Sequence, residues 1–268
     1  MIDNSKSLGR LSWTEVKDAA KRNPVVLVPI GAIEQHGPHL PVHEDSIVAE
    51  WSAYKIAELT DGDVDVLVAP ALHYGHSPTF RGFEGNLSLS AETLKAVVSE
   101  IIESLVKSGF NRIVLVDNNG GNVGPVSGAA ADSRRDFGVL IGHLYPWQLG
   151  YGLMRDAYDD ANAVYGHGAE PELSAMLAMF PDQVDMAKAE SGGLKSSTGW
   201  TPTSYTDAKI ADYSVPGTVY WDFSEVSSNG VTGDVSVADP SIGEEWIRRV
   251  MGFCAEYVRE YDRNTIVN

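Results

Sequence analysis

Five of the seven histidines fall in two short loops, His36, His39 and His43 in the first, His73 and His76 in the second. The first loop reads Gly31-Ala32-Ile33-Glu34-Gln35-His36-Gly37-Pro38-His39-Leu40-Pro41 and runs on to His43, Glu44 and Asp45. Alternate side chains of an extended segment point the same way, so Glu34 and His36 can reach one ion. With Asp45 close by, they form a mixed nitrogen and oxygen donor set suited to a divalent metal. A polar surface loop with a stray Glu and His has the same spacing, but Gly31, Gly37, Pro38 and Pro41 stiffen this one and favour a site. The second loop, Pro70 to His76, makes His73 and His76 candidates for substrate contact, although histidines at strand ends are often structural. A third loop, Asp117-Asn118-Asn119-Gly120-Gly121-Asn122, lacks both the dinucleotide pattern and the P-loop lysine, so it reads as a tight turn into a helix rather than a nucleotide site. His167 opens the segment His167-Gly168-Ala169-Glu170-Pro171-Glu172, whereas His143 stands outside these segments and reads as packing. Cys254 is the single cysteine, so no intramolecular disulfide can form and a metal site must draw on imidazole and carboxylate.

Something rigid has to bring these loops together. Short apolar runs at Val25–Val28, Val64–Val68 and Arg112–Val116, with a weaker one at Gly138–Ile141, read as strands buried on both faces. Between the second and third, Leu94, Val97, Val98, Ile101, Ile102, Leu105 and Val106 recur at helical spacing across Ala91–Ser108. Asp45–Leu59, Val123–Phe137, Glu170–Phe180 and Gly243–Arg263 read as further helices. Strand–helix alternation at these lengths predicts an α/β fold with right-handed crossovers and a mainly parallel sheet. The three unusual loops follow the carboxyl ends of strands, where open α/β sheets bind ligands. Residues 187–239 are rich in Ser, Thr, Gly and aromatics without a long period, and read as a loop-rich lid or oligomer-contact region within a single domain spanning 1–268.

The chain has 268 residues, with 37 acidic and 20 basic side chains and a formal net charge of −17. That balance argues against nucleic acid and against an anionic membrane surface, since both draw affinity from clustered Lys and Arg. The N-terminal residues carry no apolar leader core and no run approaches a membrane span, so a cytoplasmic enzyme or binding protein is expected.

The segment PIGAIEQHGPHLPVHED resembles the hallmark of the creatininase family of metal-dependent amidohydrolases. DNNGGN is similar to that family's NGHGGN loop and HGAEPELS to its HAGExETS segment, so the likeness covers roughly residues 10–180 in family order. The resemblance implies a three-layer α/β/α domain, commonly a homohexamer, with a binuclear zinc, manganese or iron site. Carried over position by position, Glu34 would bind one ion, His36 the other, Asp45 would bridge them, Glu170 would be the downstream carboxylate ligand and His167 would do acid–base work. Glu172 is then assigned to support or packing. Divalent ions lower the pKa of a water and polarise a carbonyl, which suits hydrolysis.

Two departures matter. Asn119 stands where the family has a ligating histidine, so one ion is lost or weakened, a neighbour such as Asp117, His39 or His43 stands in, or a harder ion such as manganese is preferred. Phe80 replaces another family histidine and, with His39 and Asn119, is a candidate substrate contact; Arg81 adds a cation beside it. The implied reaction is C–N cleavage of a small polar, cyclic carbonyl substrate. Alternatives are hydrolytic C–C ring opening of a cyclic ketone or inosose-like diketone, for which the polar lid residues Ser196, Ser197, Thr198, Thr201, Thr203 and Ser204 would suit a polyhydroxylated ligand, peptide trimming, or a non-catalytic ligand-binding protein with an impaired site. Trp147, Trp200 and Trp221, read as loop aromatics, could stack on a flat substrate.

Overall fold

Strand β1 (Val25–Ile30) turns Val25 and Leu27 towards one layer of helices and Val26, Val28 and Ile30 towards the other. β2 (Val66–Val68), β3 (Ile113–Asp117) and β4 (Ile141–Leu144) complete the main sheet of the computed structural model, which describes residues 4–265. The order is β2-β1-β3-β4 with every pairing parallel, in the register Val25↔Val66, Val26↔Ile113 and Ile113↔Ile141. The period-two alternation divides the interior into two cores, one on each face, so the molecule is a three-layer α/β/α sandwich.

One face is covered by α1 (Trp13–Ala20), α3 (Ala91–Lys107) and α4 (Val123–Phe137). α2 (Glu44–Leu59) covers the other, with α5 (Pro146–Leu153) and α7 (Glu172–Met179), and the short α6 (Ala161–Val164) lies between these two in the chain. The segment 187–239 holds a two-stranded ribbon, β5 (Asp207–Ala208) and β6 (Gly217–Thr218), and one turn of helix, α8 (Phe223–Val226). The chain closes with α9 (Pro240–Trp246), a π-helical stretch at Ile247–Met251, and α10 (Gly252–Thr265). The C-terminal helix expected at Gly243–Arg263 is therefore longer and wound more loosely in its middle. None of the described helices is long and apolar enough to cross a membrane. Residues 1–3, part of the stretch read as lacking a leader, lie outside the described residues.

Several boundaries differ from the sequence expectation for local reasons. The fourth strand begins at Ile141 instead of Gly138, because Gly138 adopts φ +72° and ends α4 with its N–H on the Arg134 carbonyl oxygen. α7 starts at Glu172, two residues after the expected Glu170, and α2 starts at Glu44, one residue early. α1 was not expected, although Ser12 and Glu15 form the reciprocal cap that its spacing spells out.

β1 connects to β2 on one side and the chain then returns to place β3 on the other, so the sheet order reverses between β1 and β3. The loops leaving these two strands part at that point and leave a crevice above the sheet.

Candidate metal centre

The loop after β1 enters the crevice because Gly31 lets it pass against the first turn of α2; a Cβ there would lie 2.4 Å from the Ser46 Cα. Gln35 points away from Glu34 and His36 and pins the loop from behind. Its side-chain amide donates to the Gly230 carbonyl oxygen at 2.9 Å and its carbonyl oxygen accepts from the Gly37 N–H at 2.8 Å. Glu34 and His36 are thereby turned together into a cavity of about 480 Å³, a size that suits a small organic molecule.

His36 Nδ1 faces the Glu34 carbonyl oxygen at 3.4 Å, an acceptor that favours the tautomer with the proton on Nδ1 and the lone pair on Nε2. Around that Nε2 stand Glu44 Oε2 at 3.5 Å, Asp45 Oδ1 at 3.7 Å and Glu34 Oε1 at 3.9 Å. These gaps are too long for good hydrogen bonds. They are close to the separation of neighbouring donors around one tetrahedrally held ion, about 3.3–3.4 Å for bonds of 2.0–2.1 Å. All four side chains are buried, and Glu34 Oε2 and both Glu44 oxygens lack any hydrogen-bond partner. Burial pushes Glu34 up to about 8 and drives Glu44 and Asp45 well above the carboxylate range, with mutual repulsion adding to it. Burial likewise holds His36 well below its usual range, hence neutral. No Lys or Arg is among the described residues lining the cavity. Buried acids that face a lone pair without a basic partner are what a cation would satisfy, and the donor set fits a divalent ion.

Asn119 is brought to the same centre but turns its donor inward. Its Nδ2 donates to Asp45 Oδ2 at 3.0 Å while its Oδ1 accepts from the Gly121 N–H at 2.9 Å. The amide oxygen offered as a possible ligand is therefore already engaged by the backbone. Asp117, unlike Asn119, does not line the cavity. Its Oδ1 accepts from Asn122 Nδ2 at 3.0 Å and the Asn119 N–H at 3.3 Å, and its Oδ2 faces His143 Nε2 at 3.3 Å. It braces the turn after β3, and His143, expected to pack, braces Asp117.

His167 lies over His36, ring centroids 4.2 Å apart, and stacks on Phe80 at 4.4 Å. Its Nε2 is 2.5 Å from the Gln35 carbonyl oxygen, so Nε2 is the protonated nitrogen and Nδ1 is left as an acceptor. Burial lowers it to about 4, which keeps the ring neutral. Glu34, His36 and His167 offer ligand-type atoms within 4.8 Å of one another, as do His36, Glu44 and Asp45.

Glu170 is not brought to this centre. It is absent from both groups and from the cavity wall, and one of its oxygens accepts from the Tyr158 hydroxyl at 2.5 Å. Glu172, two residues on at the start of α7, lines the cavity instead. Its oxygens accept from the Tyr151 hydroxyl at 3.1 Å and the Gly168 N–H at 2.8 Å, and burial raises it to about 7. Glu170 stands before the helix, in an isolated bridge with Tyr165, whereas Glu172 opens α7.

Of the other expected contacts, His76 and Phe80 line the cavity. His39 does not; its Nε2–H donates to the Gly168 carbonyl oxygen at 2.7 Å and ties the two histidine-bearing segments together. His73 and Arg81 are exposed and outside the wall. Trp200 is exposed and Trp221 packs with Phe80, Phe223 and Val226, neither reaching the cavity. From 187–239 the wall takes Tyr205, Thr206 and Tyr220, and none of the six lid Ser and Thr residues singled out in the sequence. Trp147 does line it, from within α5 and not from a loop. Glu44 and the tyrosines at 145, 151, 205 and 220 are the residues sequence reasoning missed. Only Glu44 carried a signal, its place beside Asp45 at the start of an expected helix.

A three-layer α/β/α sheet with a buried carboxylate–imidazole cluster at its switch point defines a metal-dependent hydrolase-type architecture. The family model described as "Creatininase: Creatinine amidohydrolase" matches residues 9–258, and the chain belongs to that family. It is 30% identical over 248 residues to a mycofactocin precursor peptide peptidase of Mycolicibacterium smegmatis, covering 91% of this chain and 89% of that one. A creatinine amidohydrolase of Pseudomonas putida is 28% identical over 201 residues, 69% of this chain and 76% of its own. Solved creatininases in a manganese form and in a zinc form (the latter a variant) superpose with a TM-score of 0.74, at 24% and 25% identity, each covering 96% of this chain and 98% of theirs. The chain is thus a hydrolase of the creatininase family with a divalent-metal site, and the non-catalytic alternative gives way.

Proposed function

We propose that the chain hydrolyses a C–N amide bond in a compact, polar carbonyl substrate, with Glu34, His36 and Asp45 holding the metal. The observation that carries this reading is the convergence of buried acids on His36 Nε2 with no Lys or Arg among the described residues of the cavity wall. A divalent ion held in such a cradle supplies an acidified water and polarises the carbonyl. His167 Nδ1, accepting and neutral, takes the proton released by the attacking water and returns it to the leaving nitrogen. The Gln35 carbonyl oxygen fixes the tautomer that makes this possible. Phe80, Tyr205 and Tyr220 offer faces for a flat group, and the hydroxyls of Tyr145 and Tyr151, held protonated by burial, are donors.

Two substrate classes fit an amide hydrolase: a cyclic amide, and the end of a peptide. The second is favoured by the longer and closer match to the peptide peptidase. Manganese or zinc as the bound ion, a cytoplasmic location and a hexameric assembly belong to the same reading. The test is turnover of metal-loaded protein on small lactams and cyclic imides, short peptides and cyclic polyhydroxy ketones. Cleavage of an amide is expected; activity confined to the ketones would overturn the C–N assignment.

A further inference from the structure

Within the hydrolase reading, we infer that Glu44 is itself a metal ligand, joining His36 Nε2 and Asp45 Oδ1 around a cation, while Asn119 clamps Asp45 and does not ligate. Glu44 is fully buried at the start of α2; neither of its oxygens is in a formed hydrogen bond, and the nearby donor is the Trp147 indole N–H, itself without a partner. A carboxyl kept for packing alone would be costly in that state, ionised or not, because its lost hydration is not replaced. Of the three carboxylates, its Oε2 comes closest to His36 Nε2, at 3.5 Å, and His36, Glu44 and Asp45 form a compact ligand-type group.

Asn119 orients Asp45. Its Nδ2–H donates to Asp45 Oδ2 at 3.0 Å and leaves Oδ1 of Asp45 directed at His36. The residue at 119 thus contributes orientation in place of a bond to metal, and the carboxylate of Glu44 supplies a further donor. Two carboxylates with one imidazole favour a hard, oxygen-preferring ion such as Mn²⁺ more than an imidazole-rich site would.

The experiment is calorimetric titration of Mn²⁺ into the chelator-treated full chain and its Glu44→Gln variant, with circular dichroism to check folding. Mn²⁺ should bind the wild-type chain, and Glu44→Gln should weaken that binding at least about tenfold. Without metal, Glu44→Gln should melt at a higher temperature than wild type, since it removes an unpaired buried acid. A lost structural contact would lower it. Equal Mn²⁺ affinity in the two proteins overturns the role of Glu44 and leaves the hydrolase reading intact. A wild-type chain that binds neither Mn²⁺ nor Zn²⁺ overturns both. If Glu44→Gln does not fold, X-ray absorption of the wild-type Mn²⁺ protein decides: one imidazole among oxygen ligands supports the inference, and two or more overturn it.

Discussion

Removing the metal should leave a protein whose stability falls as pH rises from neutral. In the folded chain burial raises Glu34 from 4.5 to about 8, whereas in the unfolded chain it returns to the ordinary carboxylate range. The folded state therefore binds more protons than the unfolded one, and its advantage is present at low pH and lost as pH passes through 8. Between pH 6.5 and 8.5 this linkage removes about 2 kcal/mol for Glu34 alone. Glu172, raised to about 7, removes about 1 kcal/mol more over the same interval. Glu44 and Asp45 act in the same direction. The window starts at 6.5 because His36 and His167, held low by burial, oppose the trend only below the ordinary histidine pKa. For a fold whose total stability is about 5–15 kcal/mol, such a loss is easily measured. The assay is urea unfolding at pH 6.5, 7.5 and 8.5 after chelation, repeated with excess Mn²⁺. Added metal should flatten or reverse the slope, since it favours the ionised carboxylates and stabilises by about 2.7 kcal/mol at a hundredfold excess over its Kd. A metal-free protein whose stability is constant or rises over that window would refute the claim that these acids are uncompensated.

His167→Ala should lower turnover by about 10²–10⁴-fold while metal content, read by elemental analysis, stays near that of the wild type; loss of the metal would move His167 into the ligand set. Glu170 and Glu172 separate by substitution. Glu172→Gln should reduce turnover, because its carboxylate holds the Gly168 N–H and the Tyr151 hydroxyl in the cavity wall. Glu170→Gln should leave steady-state rates and metal stoichiometry close to wild type and lower the melting temperature by disturbing Tyr158.

The sequence by itself determined the layers and the address of the site. Alternating strands and amphipathic helices have only one arrangement that buries both faces of the sheet, so Val25–Val28 and Arg112–Val116 could be read as central strands from composition alone. Strand ends then located the chemistry, because loops leaving neighbouring parallel strands must emerge on the same edge. Glu34 and His36 were legible as a pair since period-two alternation is a local property of an extended chain. What depended on packing was the angle at which each side chain leaves the backbone. Glu170 falls before α7 and Glu172 opens it, and α2 starts at Glu44, so Glu44 and Asp45 share a buried first turn. Hydrogen-bond partners from distant segments decided the rest. Asn119 offers an amine to Asp45 instead of an oxygen to a metal because Gly121 holds its carbonyl, and His167 presents Nδ1 because Gln35, 132 residues away, accepts from Nε2. Such choices are invisible in the letters, since the groups that make them become neighbours only when the chain has folded.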